Sequence, residues 1–233
     1  MKKLFIILTL IFFGCVLARI SVAEDNGCTA PRKPLIRFST SYGRLQYDKS
    51  RTVDEITQMS LEYGRREQGV FLSGLATVIV EKEYEFGTSG EALRGGKMCV
   101  FPSVINIFVG YTRPMIYIAK SLKPGSCEYN LVLRHEQTHQ LINKKALDYF
   151  LPRFKAAAEK IALEIKPQKV SSSTEMASVT QKMTDEFAAR MNKVVAVFEK
   201  ELYIEQGKLD NKINYSMEEN ICRKFNATHG PSE

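Results

Sequence analysis

The chain has 233 residues, with 33 lysines and arginines against 26 acidic residues, giving a formal charge of +7. That excess is too small, and its basic residues too interspersed with acids, to form the phosphate-tracking stripe of a nucleic-acid-binding protein. There are no internal repeats, and the single low-complexity stretch is the serine run at 171–173.

Residues 1–23 read as a secretory signal peptide: two lysines, an apolar run over 4–17, then the small residues Ser21 and Ala23. The run is shorter than the roughly 20 residues that span a bilayer. Cleavage after Ala23 is therefore expected, with no stable membrane insertion afterwards; retention by a membrane anchor or by lipidation at Cys15 is the alternative. Loss of Lys2, Lys3 and Arg19, with no acid, lowers the charge from +7 to +4. The remainder, about 210 residues, suffices for one domain with a proper core or a domain with a helical extension. It keeps four cysteines, Cys28, Cys99, Cys127 and Cys222. An even number in an exported chain predicts two disulfides. Of the three pairings, Cys99 with Cys127 and Cys28 with Cys222 is expected, the first closing a local unit and the second tying the ends together. The lack of any CxxC argues against a structural zinc site.

Along the chain, residues 53–68 read as a helix between strands. "TVIVEKEYEF", residues 77–86, alternates so that Val78, Val80, Tyr84 and Phe86 share one face, the period of a strand. "VINIFVGYTRPMIYIAK" predicts two short strands, 104–109 and 115–119, turning at Thr112, Arg113 and Pro114. From Ser126 onward the pattern is helical. The predicted class is α+β: a small antiparallel or mixed sheet with a helix, then a histidine-bearing helix, then a helical segment containing one long helix.

Two of the three histidines fall in "CEYNLVLRHEQTHQLIN". Pro124 and Gly125 make a turn, Ser126 is placed to cap, and Glu128 sits in the first turn, where the helix dipole favours an anion. The helix should run to about Phe150, ahead of Pro152. Residues four apart share a helix face, so His135 and His139 project together and Glu136 lies one position round. This is the HExxH pattern in which two imidazoles hold a zinc ion and the glutamate serves as base. Its flanking residues, Val132, Leu133, Gln137, Thr138, Gln140 and Leu141, are uncharged, and Arg134 alone is charged.

A catalytic zinc site has three protein ligands. The remaining histidine, His229, lies in a polar tail expected to be flexible over 226–233. A carboxylate is therefore the better third ligand. Asp148, Glu159 and Glu164 carry no distinguishing context. The long helix, expected from Ser172 to about residue 211, opens with a Ser172–Glu175 capping box. It carries apolar residues at 176, 179, 183, 187, 191, 194, 198 and 202. Extending that stripe reaches Glu205, with Gly207 beside it, and a carboxylate on a buried stripe is costly unless paired or bound to metal. Glu205 is the first candidate ligand and Glu201, one turn earlier, the second.

"GGKMCVFPSVINIFVGYTRPMIYIAKSLKPGSCEYNLVLRHEQTHQLIN", with "VDEITQMSLEYG" upstream and "QGKLDNKINYSMEENICRKF" downstream, resembles a family of secreted bacterial zinc-dependent proteases built on a domain of unknown function. The likeness covers most of residues 30–225. It implies an α+β zincin-like domain over 24–150 carrying HExxH, a helical part over 151–225 packed on it, and a periplasmic or secreted location. It also implies His135 and His139 as zinc ligands and Glu136 as the catalytic residue, acting on a peptide or protein substrate. A strand such as 115–119 is a candidate edge for an extended peptide; Tyr111, Tyr117 and Tyr149 are candidate oxyanion stabilisers. Two other readings stay open: a zinc-binding envelope protein without turnover, and an interaction module presenting the long helix.

Overall fold

A computed structural model describes residues 27–63 and 72–230. The expected signal peptide, Cys15 and the end of the helix predicted over 53–68 lie outside the described residues. Among the described residues the fold combines five strands in one mixed sheet with four α-helices, compatible with the α+β expectation: β1 (Leu35–Ser39), β2 (Gln46–Asp48), α1 (Val53–Glu62), β3 (Gly74–Ala92), β4 (Met98–Ile118), α2 (Cys127–Glu164), β5 (Gln168–Val170), α3 (Ser173–Leu209) and α4 (Lys212–His229).

β4 is the spine. β3 pairs antiparallel with it from Gly74↔Ile118 to Ala92↔Met98. Along its other side lie three short strands end to end: β5 against residues 98–100, β1 against 104–108 and β2 against 115–117. The hairpin between β3 and β4 closes through Gly95 and Gly96, both at φ 75°, where a side chain would be strained. β3 pairs with no other described strand, so β3 forms the sheet edge. The stretch 115–119, expected as an edge, is interior.

The turn expected at 112–114 is also absent. Thr77 pairs with Met115 and Ile79 with Thr112, so Arg113 and Pro114 oppose one residue and form a bulge. Arg113 takes φ 49° there, and Pro114, having no N–H, gives up no ladder bond. Turn residues announce a turn in sequence, but a bulge uses the same chemistry without reversing the chain. The extra residue shifts parity: Ile105, Ile107, Val109 and Tyr111 are buried before it, Ile116 and Ile118 after it, and both sets belong to clusters completed by α2.

The main core lies between the sheet and two long helices. Ile105, Ile107, Val109 and Tyr111 meet Leu147, Phe150, Phe154, Ala158 and Ile161 of α2 and Met183, Phe187, Met191, Val195, Phe198 and Leu202 of α3. Val78, Val80, Tyr84 and Phe86 pack against it, the face read from their alternation. α2 does not stop before Pro152 but continues to Glu164. A helix-interior proline costs about 3 kcal/mol, and burial of Phe154, Ala158 and Ile161 beyond it outweighs that. The division expected at residue 150 thus falls inside α2. Ser172 caps α3 through Glu175 N–H, while the Glu175 carboxylate accepts from Ser171 N–H rather than from the cap residue. The C-terminal segment is helical through His229, where a flexible tail was expected from 226.

The disulfides are Cys28–Cys99 and Cys127–Cys222, not the expected pairing. Cys99 opens β4 and Cys127 follows its far end, and 19 residues of strand separate them by roughly 60 Å at about 3.3 Å each. A short sequence separation is not proximity when the intervening chain is extended. No described helix is long and apolar enough to cross a membrane.

Candidate metal centre

Ser126 caps α2 by accepting the Tyr129 N–H, as its position in the sequence indicated. One face of this helix then buries His135 and His139, at 6% and 4% exposure. Facing them is Asp210, in the turn where α3 ends and α4 begins. His139 Nε2 lies 3.1 Å from His135 Nε2 and 3.1 Å from Asp210 Oδ1, and His135 Nε2 lies 3.2 Å from the same oxygen. Tetrahedral ligand atoms about 2.0–2.1 Å from one ion are about 3.3–3.4 Å apart, so this triangle has nearly the spacing of a shared ion. The group His135, His139 and Asp210 could hold a metal ion.

The outer nitrogens of both rings are also engaged, as metal-binding imidazoles require. His135 Nδ1 lies 3.2 Å from Glu218 Oε1 on α4. His139 Nδ1 bonds to Gln206 Oε1, and an orienting chain lies behind that bond. Gln140 Nε2 donates to the backbone carbonyls of Thr77 and Met115, at 3.0 and 3.1 Å. Those oxygens only accept, so the Gln140 amide has one orientation and its Oε1 accepts from Asn143 Nδ2 at 3.1 Å. Asn143 Oδ1 then accepts from Gln206 Nε2 at 2.6 Å, which turns Gln206 Oε1 toward His139. His139 must therefore carry its proton on Nδ1, leaving the Nε2 lone pair facing Asp210 and His135.

The third acid differs from the expectation. Glu205 and Glu201 are exposed, and Glu205 pairs with Lys208 at 2.5 Å. The buried stripe of α3 runs 183, 187, 191, 195, 198, 202 and on to Gln206, one position past Glu205. Extrapolating the stripe reached the right part of the chain, but the helix places an amide there and the carboxylate four residues later. Tyr111, Tyr117 and Tyr149 do not join the group: Tyr111 is buried, donating to Asn143 O at 2.9 Å, and Tyr149 is exposed. Tyr117 packs with the cluster around Ile56 and Leu75. The tyrosine at the site is Tyr215 on α4, stacked on the His135 ring at 5.3 Å and 26° and donating to Asp210 Oδ1. Asp210, Gln206, Asn143, Tyr215 and Glu218 belong to no recognisable spacing; a signal for Asp210 was its place in the "LDN" break between two helical runs.

Glu136 is 6% exposed, with the Ala76 N–H of β3 directed at its carboxylate. β3 comes so close that a Cβ on Gly74 would lie 2.7 Å from Glu136 Oε1 and 2.5 Å from Val132, so glycine is required there. Burial raises the Glu136 carboxyl above its ordinary range, against the opposing pull of the two imidazoles. At Asp210 burial acts in the same upward sense, but the hydrogen bonds it accepts, that of His135 first and that of Tyr215 with it, outweigh burial and hold the carboxyl far below the usual value. Burial disfavours the His135 cation, yet Asp210, Glu136 and Glu218 overcome that and push it up to about 9.

Two cavities meet here. A cleft of about 820 Å³ opens beside His135 and Glu136, with residues 72–74 on one wall and Tyr215, Glu218 and Glu219 of α4 on the other. Behind it a cavity of about 20 Å³ touches Glu136, His139, Asp210 and Tyr215, room for one water-sized occupant. Ser60, fully buried, also lines it, and its hydroxyl has no hydrogen-bond partner among the described residues. No protein-family model and no curated protein matches the sequence, and no solved structure matches the fold.

Proposed function

We propose that the protein is an exported zinc-dependent hydrolase of peptide bonds, with His135, His139 and Asp210 as metal ligands and Glu136 as general base. The observation that carries this reading is the buried carboxylate of Glu136 beside the metal-competent group, at the floor of an open cleft. A purely structural site has no use for a base at that position. When bound, zinc supplies Lewis-acid activation of water and of the scissile carbonyl. The raised pKa of Glu136 suits it to take a proton from a water in the cleft as the water oxygen bonds to the scissile carbonyl carbon, and to deliver that proton to the amine nitrogen as the C–N bond breaks. A cleft of about 820 Å³ has the size of sites that enclose extended small ligands. Two disulfides and the signal-like residues 1–23 support an oxidising, extracytoplasmic setting. The resemblance to secreted HExxH proteases points the same way.

The test compares wild type, Glu136→Gln and His135→Ala on a mixed peptide library, with and without chelator. Glu136→Gln should keep zinc and lose at least about 10²-fold in turnover, whereas His135→Ala should lose zinc as well. Chelator-sensitive cleavage that survives Glu136→Gln with zinc in place would refute the mechanism. A wild type that binds zinc and cleaves nothing would favour the envelope protein without turnover.

A further inference from the structure

α4 contributes much to the site yet is weakly seated by burial. Among its described side chains Cys222 alone is buried. Its apolar residues Ile213, Met217 and Ile221, spaced by four, are 71%, 59% and 48% exposed, so they do not anchor it in the core. An 18-residue helix is marginal without such anchoring. The ties that join α4 to α2 include the Cys127–Cys222 disulfide, the 2.8 Å bond from Asn226 Nδ2 to Glu128 Oε1, and the contacts of Tyr215 and Glu218 with His135. Cys127 and Glu128 lie in the first turn of α2, two helical turns before His135, while Cys222 lies near the middle of α4 and one turn after Glu218, so the covalent tie holds the stretch of α4 from which the Glu218 carboxylate reaches the imidazole.

We propose that Glu218 positions His135 for metal binding, and that the Cys127–Cys222 disulfide, by seating α4 on α2, sets how much of that positioning the site receives. This rests on the metal reading above. The physical reason is local concentration: a tethered carboxylate 3.2 Å from Nδ1 orients the ring and keeps Nε2 directed at Asp210, and a released helix delivers it only part of the time. Glu218 is thus a positioning residue, acting on the metal through His135.

The experiment measures zinc affinity of the full chain by competition with a chromogenic chelator, without reference to activity. Glu218→Ala should weaken zinc about 10–100-fold, and Glu218→Gln, whose carbonyl still accepts from Nδ1, should fall between it and wild type. Cys127→Ser with Cys222→Ser should also weaken zinc. Adding Glu218→Ala to that pair should cost less than about threefold more, because the carboxylate it removes is no longer held in place. If the pair does not fold, Asn226→Ala carries the same cycle with a smaller first loss. Glu218→Ala within about threefold of wild type overturns the inference, as does a full multiplication of the two losses in the combined variant. Wild type that binds no zinc overturns the metal reading itself, a distinct result.

Discussion

Replacing Gln206 with leucine tests the orienting chain behind His139. The side chain is 6% exposed, and its amide serves three buried groups: Oε1 accepts from His139 Nδ1, and Nε2 donates to Asn143 Oδ1 and, at 3.1 Å, to the His139 carbonyl. Leucine fills a similar volume and meets none of them. His139 and Asn143, 4% and 2% exposed, cannot turn to water. Each stranded group costs about 1–3 kcal/mol, partly offset by the added apolar burial, so the net loss should be about 2–4 kcal/mol. For a chain of this size that corresponds to a Tm lower by about 4–16 °C. The same change frees His139 to place its proton on either nitrogen, and zinc affinity should fall about 10–100-fold. Thermal unfolding followed by circular dichroism in chelator, disulfides intact, gives the first quantity, and chelator competition gives the second. A loss under about 1 kcal/mol together with unchanged zinc affinity would show that the chain does not set the tautomer.

Asp210→Ala should abolish tight zinc binding, since two protein ligands hold the ion poorly, while Glu205→Ala and Glu201→Ala should leave it unchanged; the reverse pattern in metal analysis would restore the sequence-based ligand. In the zinc-free protein His135 titrates near 9, above its ordinary 6.5. Its protonation therefore stabilises the fold fully below about pH 6.5 and ceases to do so as pH rises through 9, a change on the order of 3 kcal/mol. Urea unfolding in chelator at pH 6 and pH 9.5 should show that loss in wild type and much less in His135→Gln; equal profiles would contradict it.

What sequence revealed and what it hid divide by range. HExxH, the Ser126 cap and the alternating face of β3 are local patterns, and each follows from helical or strand periodicity alone. The long strand β4 was broken at Arg113–Pro114 because a bulge and a turn use the same residues. Asp210, Tyr215 and Glu218 meet the histidines only after α3 has crossed the core and α4 has turned back, and no spacing encodes that meeting. Glu205 shows the scale of the error: the stripe reached Leu202 with one position misplaced, 194 for the buried Val195, and a four-residue step rather than a three-residue one decides between Glu205 and Gln206.

The order in which the cysteines pair has a bearing on how the chain is made. The first bonds the second and the third bonds the fourth, with separations of 71 and 95 residues, so the two rings are consecutive and neither encloses the other. As a chain emerges N-terminus first, Cys99 appears when Cys28 is the sole earlier partner among the four, and Cys127 then finds both already consumed. Oxidation in order of emergence thus leads directly to the native connectivity, with no thiol exchange needed to undo a wrong bond. The segment between the rings, residues 100–126, holds nearly all of β4. One cut there releases two covalently separate pieces, whereas one cut inside either ring leaves the chain joined.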